Sequence, residues 1–350
     1  QELETIAAAV RAYQEIGIRA FIGPLIQDES LTAGMPAGDS AIEHVAYMRS
    51  TKATLELMES AIKQFHNPQK GVNILLAPTG IQLCSDNLFE GCIDLSDRYN
   101  LCLHAHLLET SAQKQLAQQK YGCSAVEHLQ EIGYLSPRTS LAHCVWLDDS
   151  DIAIMAETES TVVHNPLSNL RLGSGIAPIL KYRKAGVNVS FGCDGAASND
   201  SQDLLEAIKI GSILHNITDL DYRNWITPRE SVEMASLGGA KGLNVADEMG
   251  SLIVGKKADF VLYDLTSLSL LPRTDPIGLL ILGRPTNAVH SVWVNGKQIV
   301  AEGKVKTIDV DDLRQQLFDR SEWTSKRQSP MVSEIEAHYR QVMNLPSCSD

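Results

Sequence analysis

Short apolar runs recur along the first two thirds of this chain, most followed by a stretch long enough for a helix. That recurrence restricts the fold more than any other feature. The runs are IRAFIGPLI (18–26), VNILLAP (72–78), LCLHAH (101–106), TSLAHC (139–144), STVVHNP (160–166) and VNVSFGC (187–193). Each is nearly continuous in apolar residues, as expected of a parallel strand covered on both faces. Residues 41–65, 86–99 and 112–133 read as helices between them. Parallel strands need crossover connections, and helices of this length supply them. Six such strands before residue 200 favour a closed α/β barrel, of the eight-stranded (β/α)8 TIM type, over a small open sheet.

The texture changes near residue 247. DEMGSLIVGKKADFVLYDL places turn residues around two short strands, and AVHSVWVNGKQIVAEGK reads as a hairpin about Asn295-Gly296. The expected organisation is a barrel over 1–246, a small β-sandwich portion over 247–305, and an amphipathic helix with a frayed tail over 306–350.

Composition excludes several roles. A formal charge of −13 repels a phosphate backbone, so nucleic acid is not an expected partner. No apolar run is long enough to cross a bilayer, and no basic-then-apolar leader opens the chain. The seven cysteines (84, 92, 102, 123, 144, 193 and 348) are odd in number and include no CxxC pair. Reduced thiols in a cytoplasmic enzyme explain this better than a disulfide framework.

Chemistry concentrates where the apolar runs stop. His106 and Glu109 end one run, His143 ends the next, and Asp194 directly follows VNVSFGC. In an α/β barrel the carboxyl ends of all strands open onto one face, where catalytic groups gather. Imidazole, carboxylate and imidazole converging there suit a divalent metal that activates water. A carboxylate at the end of a buried strand is costly unless paired or coordinated, which singles out Asp194. His104 shares a face with His106 and competes as a ligand. His164 is either a further ligand or a residue that holds its loop by hydrogen bonds. The loop HNPLSNLRLGSGIAPIL (164–180), with Pro166, Asn169, Gly173 and Gly175, suits a pocket lining in which Asn side chains fix the backbone.

The motifs HAHLLET, AHCVWL, HNPLSNLRLGSGIAP and GCDGAASND, in this order, resemble the amidohydrolase superfamily. The branch is that of the chlorohydrolases and of the deaminases of triazines, guanine, 8-oxoguanine and S-adenosylhomocysteine. GSLIVGKKADFVLYDL and VWVNGKQIVAEGK resemble the family's β-sandwich, and the likeness runs from roughly residue 5 to 305. The resemblance implies that His106 and Asp194 bind one divalent metal, zinc in most members and iron in some. It implies that Glu109 moves a proton from the activated water to a ring nitrogen, and that His143 orients or polarises the water. Asp194 would also accept the water's proton and pass it to departing ammonia. The implied activity is hydrolytic deamination of an amino-substituted purine, pyrimidine or triazine, a small heterocyclic substrate. Dechlorination or cyclic-amide opening is the alternative, and a homo-oligomer is the implied assembly.

Two departures from the family pattern stand out. The family takes two more metal ligands from an HxH at the end of its first barrel strand, whereas the single HxH here, His104-Ala-His106, belongs to the fifth. The opening QELETIAAAVRAYQEIGIRAFIGPLI matches the helix before the third strand. A chain lacking the first two strands and half of the sandwich is therefore expected, one that binds metal poorly and is inactive as written, or an inert relative. Secondly, some nucleoside-type members carry His after the Pro of the fourth strand, where APTGIQLCS has Thr79 and Gly80. Thr79, Gln82 and the loop at Gln27–Asp28 are the expected pocket lining.

Overall fold

All six runs form parallel strands, in the order in which they occur along the chain. The computed structural model describes residues 2–38, 48–320 and 330–346. The first run becomes β1 (Ala20–Ile22) and β2 (Leu25–Ile26), and the second becomes β3 (Val72–Ile74) and β4 (Ala77–Pro78). Then come β5 (Leu103–Leu107), β6 (Thr139–His143), β7 (Thr161–His164) and β8 (Val189–Phe191). β1 pairs with β3 and β2 with β4, a parallel bridge Leu76–Leu103 joins that pair to β5, and β5, β6, β7 and β8 follow side by side. Ordered parallel strands with helices between them are barrel architecture. Among the described residues, the β1/β2 run and β8 are each paired on one side.

The first run is broken because Gly23-Pro24 interrupts it and proline has no N–H to give to a ladder. A Cβ at Gly23 would also meet Leu75 Cδ1 at 2.4 Å and Ala77 Cβ at 2.9 Å, so a larger residue at this crossing would force its neighbours to shift. The helix expected at 112–133 is two helices. The first, Ser111–Tyr121, stops at Gly122, which takes a left-handed φ of 72°, and the second, Ala125–Glu131, restarts on a Ser124/Glu127 capping box. Of the helix expected at 41–65, Thr51–Phe65 is helical, starting after the N-cap Ser50, and 41–47 lie outside the described residues. The helix Asp86–Tyr99 matches expectation, capped by Ser85 and ended by Asn100 in the left-handed region.

Alternation along β5 sets up the site. Leu103, Ala105 and Leu107 are buried in the main core with Phe89, Leu88, Val126 and Leu129 from the flanking helices. His104 and His106, on the opposite face, are the half-buried positions. Beyond residue 250 a separate antiparallel sheet forms from Phe260–Tyr263, Val289–Val294, Lys297–Ala301 and Lys304–Val305. Its hairpin turns at Asn295 (φ 49°) and Gly296 (φ 76°), both left-handed as the sequence requires. The second short strand expected near Ser251–Val254 does not form: that segment lies between Gly250 and Gly255, both at positive φ, with Leu252, Ile253 and Val254 exposed and, among the described residues, no strand paired with it. Toward the C-terminus the expected helix is seen as Val310–Arg320 and Pro330–Val342, and the last four residues of the tail lie outside the described residues.

Candidate metal centre

Register places the site residues. Leu107 pairs with His143 and His106 with Ala142, while His164 pairs with Phe191 three positions before Asp194. The ends of β5, β6 and β8 thus bring His106, His143 and Asp194 together, with one donor atom from each within 4.8 Å of the others. The two imidazole rings stack at 5.5 Å between centroids. Glu109 stands beside them, its Oε2 3.8 Å from His143 Nε2. His106, Glu109, His143 and Asp194 therefore gather at the carboxyl ends of β5, β6 and β8.

The donor chemistry fits a divalent cation. His106 Nδ1 lies 2.6 Å from the Thr79 carbonyl oxygen. A carbonyl can only accept, so Nδ1 carries a proton, and the neutral ring in this tautomer offers its lone pair at Nε2. His143 Nδ1 meets Asn169 Oδ1 at 2.8 Å, which presents Nε2 in the same way. Asp194 Oδ2 accepts from Ser168 Oγ at 2.5 Å and from Ser198 Oγ at 2.7 Å. Burial alone would push this carboxyl up; the two hydroxyls outweigh it and hold it below the ordinary carboxylate range. Two imidazoles turned to offer Nε2 and an ionised carboxylate form a common hard-to-borderline ligand set for zinc or iron.

The competing histidines are occupied differently. His104 Nδ1 is 2.8 Å from Ser140 Oγ, and burial pushes its pKa down to about 4. His164 is fully buried with Nε2 3.2 Å from His215 Nε2 and Nδ1 unpartnered. Burial, then His215 and His143, hold it well below the usual imidazole range. Neither belongs to the three-residue cluster. The expected pocket residues act on loops: Thr79 Oγ1 donates to the Ile26 carbonyl, and Asp28 accepts from Ser85 N, Ser85 Oγ and Thr51 Oγ1. Among the described residues no disulfide forms and six cysteines are free, burial raising Cys102 to about 11.

Sequence reasoning missed the anchors Ser168 and Ser174 and the pairing of Asn169 with His143. A signal was present. In the helix Pro166–Arg171 the buried positions are Pro166, Ser168 and Asn169, while Leu170 and the following Leu172 are exposed. A helix with polar groups inside and apolar groups outside inverts the normal pattern and marks a site.

A parallel barrel with imidazoles and a carboxylate at its strand ends defines a hydrolase of the metal-site type. The chain belongs to the amidohydrolase family, whose model matches residues 1–299. It is 31% identical over 313 residues to the 5-methylthioadenosine/S-adenosylhomocysteine deaminase of Caldanaerobacter subterraneus subsp. tengcongensis, covering 89% of this chain and 68% of that one. It superposes on a zinc complex of atrazine chlorohydrolase from Arthrobacter aurescens TC1 with a TM-score of 0.81 and 27% identity, covering 90% of this chain and 68% of that one. An adenosine deaminase from Xanthomonas campestris with bound zinc gives 0.80 and 27%, covering 90% and 69%. The chain spans between 54% and 68% of the length of the first curated relatives it matches. No helix among the described residues is long and apolar enough to cross a membrane.

Proposed function

We propose that the protein is a hydrolytic deaminase of an amino-substituted nitrogen heterocycle, releasing ammonia. The observation that carries this reading is the His106–His143–Asp194 cluster with Glu109 at its edge. His106 and Asp194 are the assigned ligands, with His143 Nε2 in reach of the same point. The deaminase relatives and the zinc-containing neighbours support zinc as the metal and a small heterocycle as the substrate. A cation held there would polarise water and bring its pKa toward neutrality.

The protein's own groups then divide the proton work. Glu109 takes a proton from water and delivers it to a ring nitrogen, which makes the adjacent carbon more electrophilic. His143, its ring fixed by Asn169, orients the attacking water and the developing tetrahedral centre. Asp194, ionised at neutral pH, accepts the second proton and passes it to the leaving amine. Residues 1–246 serve as the catalytic barrel, 247–305 as the sandwich portion and 306–350 as a C-terminal helical segment. Reduced cysteines support a cytoplasmic location.

The test is ammonia release by the natural full-length protein against adenosine derivatives, guanine, 8-oxoguanine, cytosine and aminotriazines, with chloride release from chlorotriazines measured in parallel. Ammonia from at least one heterocycle is expected. Asp194→Asn should lose metal or at least about 100-fold in turnover, and Glu109→Gln should keep metal while losing a similar factor. Wild-type turnover in Asp194→Asn sinks the assignment. Chloride without ammonia moves the protein to the dechlorinating reading, which the chlorohydrolase neighbour favours.

A further inference from the structure

The two carboxylate oxygens of Glu109 have different surroundings. Oε1 accepts from Ser174 Oγ at 3.2 Å, whereas Oε2 faces His143 Nε2 at 3.8 Å. The Glu109 backbone N–H is also held, donating to Gln113 Oε1 at 2.6 Å. Ser174 comes from a different part of the chain, the segment between the helices Pro166–Arg171 and Ile179–Ala185, and is 5% exposed.

That segment is fixed against the barrel. Ser174 N–H donates to the Asn169 carbonyl at 2.8 Å, and Trp146 Nε1–H donates to the Ser174 carbonyl at 2.8 Å. Gly175 has φ 122°, and a Cβ there would come within 2.9 Å of Val145 Cγ1, so the backbone lies directly on the residues that follow β6. The amide, carbonyl and hydroxyl of Ser174 are thus all engaged, the last by Glu109. A carboxylate with neither oxygen tied rotates about its terminal bond and exchanges its oxygens. Proton transfer needs one oxygen kept within hydrogen-bond reach of both donor and acceptor.

We propose that Ser174, clamped by Trp146, is a positioning residue that ties down Oε1 of Glu109 and reserves Oε2 to carry the proton. This rests on the assignment of Glu109 as proton carrier. In the natural full-length protein, Ser174→Ala should lower kcat for ammonia release about 10- to 100-fold, with KM and metal per chain within about twofold of the parent. Ser174→Thr, which keeps a hydroxyl, should recover most of the rate, and Trp146→Phe, which keeps a ring without the N–H, should fall between. In a Glu109→Gln background, Ser174→Ala should add no further loss. A wild-type kcat in Ser174→Ala beside an inactive Glu109→Gln overturns the inference and spares the role of Glu109. An active Glu109→Gln overturns that role instead. Loss of metal or of folding in Ser174→Ala without rescue by Thr, or an undiminished rate in Trp146→Phe, also overturns the inference.

Discussion

Each candidate ligand in this protein is anchored through one atom and offers another. His106 is held through Nδ1 by the Thr79 carbonyl, His143 through Nδ1 by Asn169, and Asp194 through Oδ2 by Ser168 and Ser198. Outer partners of this kind fix ring orientation and tautomer before any cation arrives. Asn169→Ala frees the His143 ring, and its effect should be an about 10- to 100-fold loss of turnover or metal affinity in a folded protein. Steady-state kinetics with metal analysis checks this, and unchanged values would remove the tautomer argument. The candidate ligands themselves stood out in the sequence as polar groups closing apolar runs. Their anchors were not, because Thr79, Ser168, Asn169 and Ser198 come from loops that only the sheet brings together.

At the scale of single elements, the site depends on sharp turns at strand ends. His143 (φ 72°), Cys144 (φ 50°) and Asp194 (φ 61°) take the left-handed backbone, as does Leu108 (φ 44°) between His106 and Glu109. Non-glycine residues there cost about 1–3 kcal/mol each, and such strain is concentrated at functional sites. It turns the chain at the strand ends, where a continuing strand would alternate side chains to either face. Packing around these turns is tight. A Cβ on Gly192, two residues before Asp194, would sit 2.2 Å from Asn165 Oδ1 and 2.9 Å from Val163 Cγ1. Gly192→Ala should therefore destabilise by about 1–3 kcal/mol in urea unfolding, as overpacking does. Gly195→Ala, whose nearest neighbour would be Ser198 Oγ at 3.6 Å, serves as the control within about 0.5 kcal/mol. Equal stability of the two variants would contradict this packing. The positions of the runs were read well from the sequence, whereas the strands within them are shorter, and the Gly23-Pro24 break and the split at Gly122 are local backbone events that apolar periodicity passes over.

Across the whole molecule, distant segments are tied by a few polar contacts. Arg19, just before β1, forms a two-pronged pair with Asp259 beside the antiparallel sheet, at 2.9 and 3.2 Å. His338, in the C-terminal helix, lies with Nε2 2.8 Å from the Pro36 carbonyl. The buried imidazoles give stability a pH dependence. Burial, then Arg183, lowers His215 from 6.5 to about 4, and His164 moves the same way. Their folded pKa values lie below the unfolded value, so the unfolded chain binds protons first as pH falls. Stability should be full above about pH 6.5 and should drop toward pH 4 by about 1.4 kcal/mol per pH unit for each such imidazole. Denaturant unfolding of metal-stripped protein from pH 7.5 to 4.5 measures this, and a flat profile would refute the burial of the pair.

The sequence by itself determined the alternation of strand and helix, the Asn295-Gly296 hairpin and the four residues of chemical interest, because period, turn chemistry and buried charge are local properties. Only the tertiary structure decided which histidines converge. His104 and His106 share a face of one strand, yet register sets His106 beside the end of β6 and leaves His104 on Ser140. The physical reason is that a ligand cluster depends on distances between strands, and those follow from pairing and twist across the sheet, which no single stretch of chain encodes.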